Sequence, residues 1–164
     1  MFPQSEGQCR NDRIVAVCCG LLAVGLVLLV HPFVEMGVHD DTSLVDLAFR
    51  TSETWRLTFD NYLQPIAGAQ SYWSAPFVRL FGRSFTVVRL SLLPFCFGVV
   101  LLQYFLGRRL GLKPLAAALG TLCLVLCPLF LPLASTAMSD VPTLFLSQLS
   151  VVLALEAALA VRES

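Results

Sequence analysis

The sequence predicts an all-α membrane protein with four transmembrane helices and an extracytoplasmic interfacial helix segment between helices one and two. Three features of the chain lead there. Hydrophobic residues make up 57% of it and charged residues only 13%, with a mean hydropathy of +0.77, whereas ordinary soluble domains carry roughly 25% charged residues. The apolar residues gather in four runs, each near the roughly 20 residues that a spanning helix needs. Between the second and third runs lies a tight basic turn, Gly107-Arg108-Arg109-Leu110-Gly111-Leu112-Lys113. Such loops belong on the cytoplasmic side, where Lys and Arg are enriched.

The first run covers about residues 14–34 and follows Arg10 and Arg13. It exceeds the roughly 7 to 15 apolar residues of a secretory signal and is not followed by a small-residue cleavage site, so it reads as a retained anchor. The other runs cover about 85–106, 114–134 and 141–161, with Pro94, Pro128 and Pro132 expected as kinks within them. Counting outward from the basic turn puts Arg10, Arg13 and Arg162 inside, and segment 35–84 and the turn at 135–140 outside. The N-terminus is then cytoplasmic, and residues 1–164 form a single membrane domain.

The outer segment 35–84 carries its own helical pattern. From Ser43, a plausible N-cap, Leu44, Leu47, Ala48, Thr51, Trp55 and Phe59 recur at helical spacing, while Asp46, Arg50, Glu53, Arg56 and Asp60 occupy much of the remaining surface. This predicts a helix lying in the membrane plane, with Trp55 at headgroup level and an Asp46–Arg50 pair at i, i+4. After Pro65 and Gly68, the pattern predicts a second short surface helix, Phe77 to Phe81, closed by Gly82.

Charge and cysteine usage exclude some functions. With 11 basic and 11 acidic residues the net charge is zero, and no basic stripe is available to neutralise phosphates, so nucleic acid is excluded as a partner. Of the six cysteines, Cys18, Cys19, Cys96, Cys123 and Cys127 fall in apolar runs and Cys9 precedes the first. Cys123 and Cys127 share a helix face, but no His or further Cys completes a four-ligand site. They read as packing residues.

The residues able to carry chemistry are acids at one mouth of the bundle. Asp40 and Asp41 stand just past the first run and Asp140 just before the fourth, on the same side of the membrane. Adjacent carboxylates raise one another's pKa, which tunes a general base, or attract a divalent cation. Equally, they cap a helix, complementing the positive end of its dipole. Asp140, with Pro142 close behind, also has an N-cap explanation. His39 lies beside Asp40 and is a candidate ligand; His31 stands at the same end of the first run. Arg89 lies about one turn inside the second run, where a cation needs a partner or must snorkel, and its planar fork suits phosphate oxygens. Glu156, deep in the fourth run, reads as solvated at the interface or paired with another helix.

The order of these features resembles the N-terminal part of the C-type glycosyltransferase superfamily, and within it the protein mannosyltransferase and aminoarabinose transferase-like group. The resemblance rests on His39-Asp40-Asp41-Thr42 in the first outer loop, Tyr62-Leu63-Gln64-Pro65-Ile66, then Phe81-Gly82-Arg83 leading to Arg89, and Ser139-Asp140-Val141-Pro142 in the second outer loop. Asp41 stands where Glu is common, and a double proline of the family is reduced to Pro65. It covers about residues 14–160. It implies inverting transfer of a sugar from a polyprenyl phosphate donor to an acceptor hydroxyl on the extracytoplasmic face of the plasma membrane, the inner membrane in a bacterium.

By the same resemblance Asp40 is the general base, Asp41 and Asp140 position it or hold a divalent metal ion, and Arg89 and His39 bind substrate. Members usually have more spans, so beside them the chain reads as a fragment, a truncated gene product or a degenerate paralogue, with a further membrane subunit as a candidate source of the missing helices. Membrane lipid is the remaining partner. The alternative is a non-catalytic four-helix membrane protein, a subunit or scaffold whose acids cap helices. A transporter would need polar residues near mid-span, where Ser147, Gln148 and Ser150 are nearly all the chain offers.

Overall fold

A computed structural model describes residues 6–30, 32–36, 41–57 and 68–163, and all the regular structure among them is helical. The helices are α1 (Glu6–Leu29), α2 (Asp41–Thr54), α3 (Gly68–Phe81), α4 (Phe85–Ser91), α5 (Leu93–Arg109), α6 (Pro114–Val125), α7 (Phe130–Ala134) and α8 (Asp140–Glu163). Three stretches among the described residues are long and apolar enough to cross a bilayer: Arg10–Leu29, Phe85–Arg109 and Asp140–Val161. The second of these joins α4 to α5. Pro94 has no N–H to offer the carbonyl of Leu90, so the chain steps through Leu92, whose carbonyl accepts from Phe95 at 3.0 Å, and continues.

The third apolar run differs from the single span expected of it. Helix α6 has 12 residues, about 18 Å at 1.5 Å per residue, and falls short of the roughly 30 Å hydrocarbon core. Proline is the cause. Pro128 cannot donate to Leu124, so α6 closes at Leu126, and Pro132 cannot donate to residue 128, so the 5-residue α7 stays separate from α6. Pro128 thus terminates a helix, where the sequence reading expected a kink.

Helix α5 is the central rod, and α1, α6 and α8 all pack on it. On α1 the buried residues Ala16, Cys19, Ala23 and Val27 follow helical spacing and form a narrow seam of small side chains. Small residues let helices approach closely in lipid, where packing replaces the hydrophobic drive. Two glycines make this concrete. A Cβ on Gly20 would lie 2.6 Å from the ring of Phe97, and one on Gly98 would lie 2.5 Å from the ring of Phe145, so each glycine is a socket for an aromatic knob of the neighbouring helix. Cys19 and Cys96 join the core, as a packing role predicts, while Cys18 and Cys123 are exposed.

Helices α2, α3 and α4 form a separate layer over one end of the rod. Val45 and Ala48 of α2, Val78 of α3, Val88 of α4, Leu92 and Ala137 share a small core there. At the other end, the basic turn closes α5 with Gly111 at φ 88°. There Leu112 N–H bonds to Gly107 O at 3.0 Å and Gly111 N–H to Arg108 O at 3.1 Å, the paired bonds of a Schellman cap.

Candidate functional site

The site is organised by Arg89. Helix α4 carries it into the bundle, where it is 3% exposed. Its Nε donates to Asp41 Oδ2 at 3.1 Å, and Nη2 reaches the same oxygen. Nη1 donates to the carbonyls of Pro32 at 3.3 Å and Val34 at 2.6 Å, and Nη2 also donates to Met36 at 2.8 Å. A guanidinium has five N–H donors, and all five meet protein oxygens. Residues 32, 34 and 36 lie outside any helix, and their carbonyls converge on the guanidinium. This uncoiled strap could not satisfy those carbonyls internally.

Asp41, the first residue of α2, is fully buried. Its Oδ2 faces Arg89, and its Oδ1 accepts the backbone N–H of Ala137 at 2.7 Å. Gln70 of α3 donates to the carbonyl of the same residue, Ala137, at 2.6 Å. The turn leading into α8 is therefore gripped from both sides. Burying a charge pair is costly, and removing one partner of such a pair loses about 3–5 kcal/mol because the other charge is stranded.

A second clasp holds the strap. Glu35 is exposed, yet its carboxylate accepts from Ser84 Oγ, from Phe85 N–H at 2.9 Å and from Thr86 N–H at 3.1 Å, at the first turn of α4. These donors, Ser84 foremost and then Thr86, stabilise the ionised form and lower its pKa from 4.5 to about 2. Ser84 Oγ also accepts from Val87 N–H at 3.4 Å, so two side chains cap one helix.

Of the expected site residues, Asp41 and Arg89 meet as a buried ion pair. Asp140 is exposed and begins α8, three residues after Ala137. The carbonyl of Ser139 accepts the Thr143 N–H at 2.9 Å, so Asp140 lies within the first turn rather than at the cap. Asp40, His39 and His31 fall outside the described residues. Among the described residues no three His, Cys, Asp or Glu side chains gather as a metal site. Arg89, expected to meet a donor phosphate, has its donors engaged within the chain.

Sequence reasoning missed Gln70, the clasp of Glu35 and a second buried cluster. At the opposite end of the rod, Asp12 of α1 accepts from Tyr104 Oη at 2.9 Å and from Arg108 Nε at 3.0 Å. The available signal was an acid in register with Ala16, Cys19, Ala23 and Val27. Glu156, by contrast, pairs with Arg109 at 2.8 Å, one of the two roles expected of it.

The model of the dolichyl-phosphate-mannose-protein mannosyltransferase family matches residues 58–164. The chain belongs to this family. No curated protein and no solved structure matches it. As a member of the mannosyltransferase family with three apolar helices of spanning length among the described residues, it is a multi-pass membrane protein of the mannosyltransferase-like glycosyltransferase type. The matched region contains Arg89, Gln70 and Asp140, whereas Asp40 and Asp41 precede it.

Proposed function

We propose that this mannosyltransferase-family chain transfers a sugar from a polyprenyl phosphate donor to an acceptor hydroxyl on the extracytoplasmic side of the plasma membrane, the inner membrane in a bacterium. Residues 1–164 act as one membrane domain with the N-terminus cytoplasmic. Helices α6 and α7 together make a fourth, broken crossing, and the α2–α3 layer lies at the outer interface.

One observation supports this reading most. The Arg89 guanidinium binds Pro32, Val34 and Met36 on one side of residues 37–40 and Asp41 on the other. The loop carrying His39 and Asp40 is thereby fastened at both flanks to α4, and through Asp41 to the turn before Asp140. In this scheme Asp40 takes the proton of the acceptor hydroxyl as its oxygen attacks the anomeric carbon, and the polyprenyl phosphate leaves with the bonding electrons, inverting that centre. Arg89 and Asp41 act through position, since their polar atoms are engaged with each other and with backbone. His39 contacts substrate. A divalent cation, where one takes part, falls to the exposed Asp140 more readily than to Asp41, whose charge Arg89 already balances. Chelation of the purified protein tests that role.

The central experiment uses membranes containing the chain and a labelled polyprenyl phosphate sugar. Asp40→Asn should lower transfer by roughly 10²–10⁴-fold, the usual contribution of a general base, and Asp140→Asn should lower it less. Wild-type transfer no greater than that of Asp40→Asn would sink the catalytic reading. The complete engagement of Arg89 and Asp41 within the chain would then favour a scaffold subunit.

A further inference from the structure

Helices α2 and α3 of the outer layer differ in the face they expose. Helix α2 buries Asp41, Thr51 and Ser52 beside Val45, Leu47 and Ala48 and presents Thr42, Arg50, Glu53 and Thr54 outward, a polar outer face suited to water. Helix α3 turns apolar residues outward instead. Beside Ala75 and Val78 it buries Gln70, Ser71 and Ser74, while Tyr72, Trp73, Pro76, Leu80 and Phe81 are exposed, Leu80 by 77% and Phe81 by 71%. Tyr72, Pro76 and Leu80 succeed one another at i, i+4, i+8, so they form a single stripe with Trp73 alongside.

The polar inner face bonds to the rest of the fold through Gln70 Nε2 and Ser74 Oγ, while Gln70 Oε1 is buried without a hydrogen-bond partner among the described residues. Gln70 holds Ala137, and Ser74 Oγ shares a hydrogen bond of 2.9 Å with Ser91 Oγ. On the outer face Tyr72 Oη donates to the carbonyl of Trp55 at 3.3 Å, while Trp73, Pro76, Leu80 and Phe81 stay exposed among the described residues, and exposed aromatic patches of this kind mark a contact surface. Arg79 is exposed on the same side, with no carboxylate partner among the described residues.

Position along the chain identifies the occupant. Helix α3 ends at Phe81, and a spanning stretch begins at Phe85, so the stripe sits where chain enters lipid. The indole N–H of Trp73 donates to Ser91 O at 2.7 Å, its ring packs on Phe95 of α5 at 5.1 Å, and Phe95 packs on Phe145 of α8 at 5.5 Å. The outer face of α3 is thus continuous with the sides of two spanning helices. Trp and Tyr favour the headgroup level because their rings are apolar with one polar handle, and an adjacent Arg suits lipid phosphate.

We infer that α3 is the element that docks on the membrane, with Tyr72, Pro76, Leu80 and Phe81 set among phospholipid headgroups and Arg79 on their phosphates, while α2 faces water. On this inference α3, rather than α2 through Trp55, makes the contact with lipid. The inference rests on the proposed interfacial position of the layer and adds which helix makes the contact. It has a consequence for the site: Gln70, on the inner side of α3, then fixes the height of the Ala137 turn above the lipid.

The two tryptophans of the chain report on the two helices separately. Trp55→Phe leaves only Trp73, and Trp73→Phe leaves only Trp55. Each protein is reconstituted in phosphatidylcholine–phosphatidylglycerol vesicles, with lipids brominated near the headgroup end of the acyl chains or with aqueous iodide. Brominated lipid should reduce Trp73 emission roughly twofold more than Trp55 emission, as expected of an interfacial ring, and iodide should do the opposite. Iodide quenching of Trp73 with lipid quenching of Trp55 would overturn the inference and keep the layer at the interface. Iodide quenching of both would overturn the interfacial layer as well. Insensitivity of Trp73 to both quenchers would mean that protein covers α3, which also overturns the inference. Hydroxyl-radical footprinting of the unsubstituted chain in the same vesicles gives the contrast without substitutions: Leu80 and Phe81 should be protected relative to Trp55, and equal oxidation would count against docking.

Discussion

Arg89 and Arg108 stand near opposite ends of one spanning stretch, Phe85–Arg109, and each meets a buried aspartate from earlier in the chain. The resemblance stops there. Arg108 joins helix to helix: Asp12 of α1 takes its Nε, Tyr104 of α5 supports the same carboxylate, and another donor caps Leu112 at the turn. Arg89 instead holds irregular chain, three carbonyls of a non-helical strap together with the first residue of α2. One pair sets the register between two rods that would pack anyway. The other fastens residues 32–36 and the start of α2 to α4.

Breaking the Arg89 end should therefore produce the largest effect. Arg89→Leu strands a fully buried Asp41 and releases three carbonyls, so we expect a loss of about 3–5 kcal/mol in denaturant titrations of the purified protein. Asp41→Asn should cost a similar amount, and Arg89→Lys should recover little, because a lysine has three rotatable donors where the site uses five. The double variant Arg89→Leu/Asp41→Asn should be less unstable than the sum of the singles, since neither charge is left alone. Strict additivity would mean that the pair is not coupled.

At the Arg108 end, effects should be smaller and graded. Asp12→Asn keeps the shape of the side chain and should cost about 1.5–3 kcal/mol, the range for hydrogen bonds to charged groups. Tyr104→Phe removes one donor and should cost about 1 kcal/mol. The comparison sharpens if sugar transfer is measured on the same proteins. Substitutions at Asp12 and Tyr104 should lower stability with little change in transfer by the folded fraction, while those at Arg89 should lower both. Equal loss of transfer at the two ends would remove the distinction between register and positioning.

The uneven legibility of the sequence follows the same division. The stretches Arg10–Leu29, Phe85–Arg109 and Asp140–Val161 were visible because a long apolar run has one favourable outcome in lipid. The broken third run was visible only as composition. Pro128 and Pro132 remove two backbone donors within five residues, and hydropathy does not count donors. Helix α3 was recognised only over Phe77–Phe81, because Gln70, Ser71 and Ser74 point inward and disrupt the apolar periodicity that marks a core face. Asp41 and Arg89 were each singled out, yet their pairing across 48 residues is a fact of tertiary structure. Asp12 was hidden in the opposite way. Between Arg10 and Arg13 it reads as one more charge of a solvated flank, and only the seam beginning at Ala16 gives it a direction.

The smallest expected effect tests the second clasp of the strap, for which the Arg108 end has no counterpart among the described residues. Glu35 is held near pKa 2 against an ordinary 4.5. A carboxylate whose pKa is lower in the folded state contributes in full above its unfolded value, and the contribution disappears as pH falls through the folded value. Wild type should therefore be more stable than Glu35→Gln at neutral pH, and the gap should close as pH falls from about 4.5 to 2, the interval between the two values. Because Glu35 is exposed and screened by water, the gap should stay below about 1 kcal/mol, the range of surface interactions. The readout is the difference between two denaturant titrations at each pH, so the acid sensitivity of other groups cancels. A gap constant over that interval would mean that Glu35 contributes through packing rather than charge, and would leave Arg89 as the sole anchor of the strap.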